Sequence, residues 1–157
     1  MIIEHDTQLP APNPPGLFPL ILWKGEVLER WEELEPLIVR SCRHSQGSMS
    51  VEWVKKALLN GEAICMCTVE NHEIVFATVT EIVNYPKYRV AVITAAAGSR
   101  AEESWHRFSH ILEEWAFSMG ALEIQAYTRP AMARLLRRLG FQPKFTIVSK
   151  DLRRRLQ

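Results

Sequence analysis

RVAVITAAAGSRAEESWHRFSHILEEWAFSMG, residues 89–120, is the stretch that decides the fold. After Arg89 its first part carries no charge until Gly98-Ser99 and reads as a buried strand. From Arg100 on, Trp105, Phe108, Leu112, Trp115 and Met119 recur every three or four residues, the spacing of one helix face. A strand therefore runs through one glycine turn into the first turn of a long helix. Such a helix start presents free backbone N–H groups and the positive end of the helix dipole, a general anion site. Ser99 is the expected N-cap, with Glu102 three residues on as its capping-box partner.

Three more elements are predicted after this unit. They are a strand over 122–128, a helix over 131–139 opened by Pro130 and closed by Gly140, and a last strand over 145–152. Upstream of it, residues 63–69 and 74–83 read as a hairpin, and the turn Asn84-Tyr85-Pro86-Lys87 leads into residue 89, completing an antiparallel meander. Earlier still, a helix over 27–43 is expected to break at Pro36, with Leu28, Trp31, Leu34, Leu37, Ile38 and Cys42 on one face. Ser50 caps a second helix over 51–59, with Trp53, Val54, Ala57 and Leu58 inward. Residues 1–23 hold five of the nine prolines and form an expected extended arm; residues 24–157 form one expected domain.

The 157 residues are 47% hydrophobic and 24% charged, a globular composition. No apolar run reaches membrane-spanning length, and no secretory signal is recognised. Cys42, Cys65 and Cys67 make an odd count, and Cys65 and Cys67 face one side of a strand, so free thiols are expected rather than a metal site. His106 and His110 stand one helical turn apart but lack a third ligand. From Arg129 onward nine basic residues face Asp151 alone, a net +8; the chain total of +1 leaves −7 for residues 1–128. Such a split favours protein partners or a second copy meeting head to tail, through residues 1–23 and the basic C-terminal end. Aromatic residues are not interleaved with Arg134, Arg137 and Arg138, which argues against nucleic acid.

This order of elements resembles the GNAT superfamily, the acyl-CoA N-acyltransferases, over about residues 27–152. Three features carry the likeness. They are the meander ending in a glycine turn at a long helix (89–120), a strand and short helix closing on Leu139-Gly140-Phe141, and the last strand after Gln142-Pro143. The turn Tyr85-Pro86-Lys87-Tyr88-Arg89, a tryptophan in the long helix and Arg129 are also similar to small GNAT-like proteins of tailed bacteriophages. The resemblance implies an α+β fold: a mixed, mostly antiparallel sheet with helices packed on both faces. It implies acetyl-CoA as an optional ligand, held by Ala96, Ala97, Gly98, Ser99 and Arg100, and no metal. In the family an Arg/Gln-x-x-Gly-x-Gly/Ala turn holds the pyrophosphate; here the leading position is Ala95 and the closing one Arg100. The tyrosine that protonates the leaving thiolate corresponds to Leu136, and a frequent asparagine to Arg129. Glu81 is a candidate base for the amine, and Tyr127 a candidate replacement acid.

Two functions follow as expectations. One is a non-catalytic phage virion or head–tail assembly component, placed in the virion or host cytoplasm. The other is a divergent acetyl-CoA-dependent N-acetyltransferase.

Overall fold

The computed structural model describes residues 16–45 and 47–157. Contacts divide the chain into two units, Met1–Tyr127 and Thr128–Gln157.

The first unit is built on a five-stranded sheet of order β1-β2-β3-β4-β5. Its strands are β1 (Phe18–Leu22), β2 (Ala63–Glu70), β3 (Glu73–Asn84), β4 (Arg89–Gly98) and β5 (Ala121–Ala126). The first four pair antiparallel and β5 joins β4 in parallel. The expected α+β architecture is therefore present, with helices on both faces. On one face α2 (Trp31–Arg43) and α3 (Val51–Leu59) set Leu34, Ile38, Val54 and Leu58 against Cys65, Cys67, Ala77, Val79 and Ala95. On the other lies α4 (Ala101–Ser118), whose Phe108 stacks on Phe76 at 6.1 Å and meets Trp105 edge-on at 5.6 Å.

Several boundaries differ from the sequence reading. Residues 1–15 of the expected arm lie outside the described residues, and residues 18–22 are strand β1. Pro19 is accommodated because β1 is an edge strand, where a missing N–H can face away from the ladder. The helix break falls at Arg30, between α1 (Lys24–Glu29) and α2, and Pro36 lies inside α2. Arg30 is fixed there by Glu33 at 2.8 Å and by the His72 carbonyl at 2.6 Å, which ties the junction to the β2–β3 turn. Leu28 consequently belongs to another helix axis and is exposed, as is Trp53 on α3. Ser50 does cap α3, accepting the Trp53 N–H at 3.1 Å. Arg89 donates to the Met119 carbonyl at 3.0 Å, joining the start of β4 to the end of α4.

Three bulges shape the sheet. Val75 is the extra residue of β3 against β2, Thr94 of β4 against β3, and Leu122 of β5 against β4. The last leaves Leu122 exposed.

Beneath α4 lies a row of buried hydroxyls. Thr68 and Ser104 share a hydrogen bond of 2.6 Å, and Thr78 donates to the Met66 carbonyl at 3.3 Å. The Thr80 hydroxyl is buried with no partner among the described residues. An unpaired buried hydroxyl is a desolvation penalty with no return. Thr80→Val is expected to stabilise the protein by about 1 kcal/mol. Chemical denaturation reads this directly, and a loss of stability would mean that the hydroxyl is satisfied in solution.

The second unit contains α5 (Pro130–Arg138), opened by Pro130 as expected, and a 3-10 turn at Arg153–Leu156. The expected strand over 145–152 is not formed. A strand needs a second row of N–H and C=O groups, and no strand is formed elsewhere in this unit to supply it. Asp151 instead accepts the Arg153 N–H at 2.8 Å and turns the chain into the 3-10 segment.

Candidate functional site

The site is set by where β5 leaves β4. Their pairing ends at Ile93 and Ala126, while β4 continues through residues 94–98. The Thr94 bulge sits at this point of departure. Beyond it, the Ser99 N–H donates to the Val75 carbonyl at 2.8 Å, so by alternation Ala97 faces β3 through its backbone groups. Ala96 and Gly98 then turn theirs the other way, to the side β5 has vacated. The Ala96 N–H is donated to the Ser41 hydroxyl, at 3.1 Å, from the last turn of α2. Small side chains at residues 95–97 keep the strand clear. With Leu37, Ile38, Ser41 and Val79 they line a shallow apolar cleft that is closed to a molecule the size of water.

The five residues expected to hold acetyl-CoA are thus brought together, but in strand more than in loop. Ala96, Ala97 and Gly98 complete β4, leaving Ser99 and Arg100 as the whole connection to α4. Ser99 is not the N-cap: Arg100 is, with φ 56° and no side-chain cap. The reason is the Val75 carbonyl, which holds the Ser99 amide to the sheet and delays the turn by one residue. Gly98 has φ +133°, and a side chain there would run into the backbone of Val75 and Phe76. Its missing side chain is used by the neighbouring strand.

Arg100 carries the charge of the turn. Its guanidinium reaches Glu70 at 2.5 Å and Glu103 at 2.6 Å, and both carboxylates raise its pKa further. Glu102 is a further acidic side chain in the first turn of α4. The helix dipole is already met by acidic side chains, and an incoming diphosphate would meet net negative charge.

Glu81, on β3 and on the same face as Val79, pairs with Val92 of β4, one position before the point of departure. It stands about 7 Å along the strand from that cleft residue. Burial first, and Glu62 second, push its carboxyl above the ordinary glutamate value. On β5, Gln125 extends this row and donates to Glu123 at 3.0 Å. Tyr127 follows the last paired residue of β5 and is exposed. A hydrogen bond to Tyr85 raises its pKa, with burial a smaller cause, so its proton is held more tightly than in a free phenol.

Leu136 and Arg129 both lie in the second unit, on α5 and at its N-cap. His106 and His110 are exposed, and no group of three metal-ligating side chains occurs among the described residues. Burial raises the Cys65 thiol far above its ordinary value and Cys67 to about 12, so both are neutral at physiological pH.

Ser41, Glu70 and Glu103 are site residues that the sequence reading missed. Glu103 had a signal, since it lies three residues after Arg100. Ser41 and Glu70 had none, being separated from their partners by 55 and 30 residues.

No family model and no curated protein matches the sequence. Solved structures do match. A Brucella melitensis ribosomal-protein-alanine N-acetyltransferase superposes with a TM-score of 0.64 at 10% identity, over 87% of this chain and 99% of that one. The fold is the GNAT fold. A predicted acetyltransferase from Clostridium acetobutylicum, with acetyl-CoA, gives 0.63 at 12% over 87% and 97%. A Staphylococcus aureus GNAT family acetyltransferase gives 0.60 at 12% over 87% and 98%. At these identities the likeness concerns the GNAT scaffold alone.

Proposed function

We propose that this GNAT-fold chain takes an acyl-CoA at the divergence of β4 and β5 and acts as a divergent N-acyltransferase. The observation that carries the reading is the edge of β4 over residues 94–98, past its last pairing with β5. An unpaired strand edge recognises extended chains bearing amides, and the pantetheine arm of CoA is such a chain. A GNAT-fold neighbour with acetyl-CoA makes the same ligand plausible here.

Within that reading, the backbone at Ala96 and Gly98 orients the pantetheine amides, and Ala95 and Ala97 leave room beside it. Acyl-CoA supplies an activated thioester. Glu81 takes the proton that the amine must lose as its nitrogen bonds to the acyl carbon and the C–S bond breaks. At the turn the fit is poorer: Ser99 and Arg100 face the phosphates, but Glu70 and Glu103 hold the guanidinium. Glu70→Gln combined with Glu103→Gln should free it and tighten acetyl-CoA about three-fold or more, because two carboxylates no longer compete with the phosphates for the guanidinium. Calorimetry at two salt concentrations checks this, the gain shrinking at high salt. Unchanged affinity would place the phosphates elsewhere.

The second reading is a non-catalytic assembly component, of the kind found in phage virions, joined through residues 1–23 and the basic C-terminal end. It is favoured by the ion pairs that occupy Arg100 and by Leu136 in place of an acid. Calorimetry with acetyl-CoA, run beside a solution-mass measurement, separates the two. Binding supports the transferase. No binding up to millimolar acetyl-CoA, with an oligomer that dissociates when residues 1–23 are deleted, supports assembly.

A further inference from the structure

We propose that Ser41 is a gate on the acyl-CoA seat, its hydroxyl standing in for the ligand at the Ala96 amide. The inference rests on the acyl-CoA reading above and concerns a residue which that reading does not use. The Ala96 N–H points to the side of β4 that β5 has left, and a backbone N–H at such an edge needs an acceptor. Ser41 provides it at 3.1 Å from the final turn of α2. Leu37 and Ile38, one turn earlier on α2, close the apolar cleft against residues 95–97. A carbonyl from an entering pantetheine arm can reach the Ala96 amide only after the Ser41 hydroxyl leaves it. Apo protein therefore pays one hydrogen bond on binding, and the end of α2 must give way along the cleft. No bond is made or broken covalently in this exchange: one acceptor replaces another at a single N–H.

Ser41→Ala removes the stand-in without adding bulk, and Ser41→Thr keeps an acceptor. In the full-length protein, Ser41→Ala should bind acetyl-CoA about three- to ten-fold more tightly, the range of one net hydrogen bond, while Ser41→Thr stays at the wild-type affinity. Acetyl-pantetheine, which lacks the diphosphate, should gain by the same factor, because the gate acts at the strand edge and not at the turn. Amide hydrogen exchange gives a second readout. The Ala96 N–H should exchange faster in ligand-free Ser41→Ala than in wild type, and slow again when acetyl-CoA is added. If wild type binds acetyl-CoA and Ser41→Ala binds it equally or more weakly, the gate is overturned while the acyl-CoA reading stands. If neither protein binds acetyl-CoA, the acyl-CoA reading falls and takes the gate with it. Faster Ala96 exchange in the variant would then mark Ser41 as a structural cap.

Discussion

Gly98→Ala should lower stability by at least about 3 kcal/mol, a large share of what a domain of this size has to lose. Two independent terms combine. The backbone at Gly98 has φ +133°, which L side chains rarely adopt. A Cβ would also sit 2.6 Å from the Phe76 Cα and against the Val75 carbonyl, both backbone atoms that no rotamer change can move. Val75 is itself the bulge residue of β3, and its carbonyl already accepts the Ser99 N–H. The substitution thus strains the joint between β3, β4 and α4. Urea unfolding should give a lower midpoint with an unchanged slope. A loss below about 1 kcal/mol would mean that β3 and β4 do not approach so closely at this end. Loss of acetyl-CoA binding in this variant would say nothing about phosphates, because the strand that frames the seat is lost with it.

Gly98 also shows how far the sequence could be read. Its place between a strand and a helix was legible, because hydrophobic spacing changes period there, from the uncharged run after Arg89 to the three-and-four spacing of Trp105, Phe108 and Leu112. What Gly98 is for was not legible. A glycine near a helix start fits a phosphate loop, yet here it fits the approach of Val75, which the Val75 bulge brings about. Bulges leave little trace in a single sequence, since one added residue barely disturbs the alternation around it. The same blindness moved the N-cap from Ser99 to Arg100 and hid the extra residue at Leu122. The Arg30 break was hidden in another way. Pro36 is a local signal, but the contact of Arg30 with the His72 carbonyl depends on a turn 42 residues away. The expected strand over 145–152 failed for a third reason: alternation supplies a strand's faces but not the neighbour that its backbone requires.

Glu81→Gln should reduce transfer to an amine about 100-fold or more in the proposed reaction, the usual effect of removing a general base. The amine must lose a proton as it acylates, and glutamine cannot take one. The pH profile makes the test specific. The folded carboxyl titrates above its ordinary value, chiefly through burial and secondly through Glu62. The wild-type rate should therefore rise with pH through a limb displaced upward from that of a free glutamate, and the variant should lack this limb. Stability should move the opposite way. Because the folded state holds the Glu81 proton more tightly than the unfolded chain, the stability it contributes is present below the unfolded pKa. That contribution disappears as pH rises through the folded pKa. Above its folded pKa the wild type carries a half-buried carboxylate charge beside Glu62, a penalty that glutamine lacks. Glu81→Gln should thus be at least as stable as wild type above that folded pKa, with the gain vanishing in acid. Low turnover in a protein of undiminished stability separates a missing base from a damaged fold. If the variant instead keeps its turnover and its rising limb, the base is another group on that face, and Glu123, bonded to Gln125 in the neighbouring row, is the next to replace.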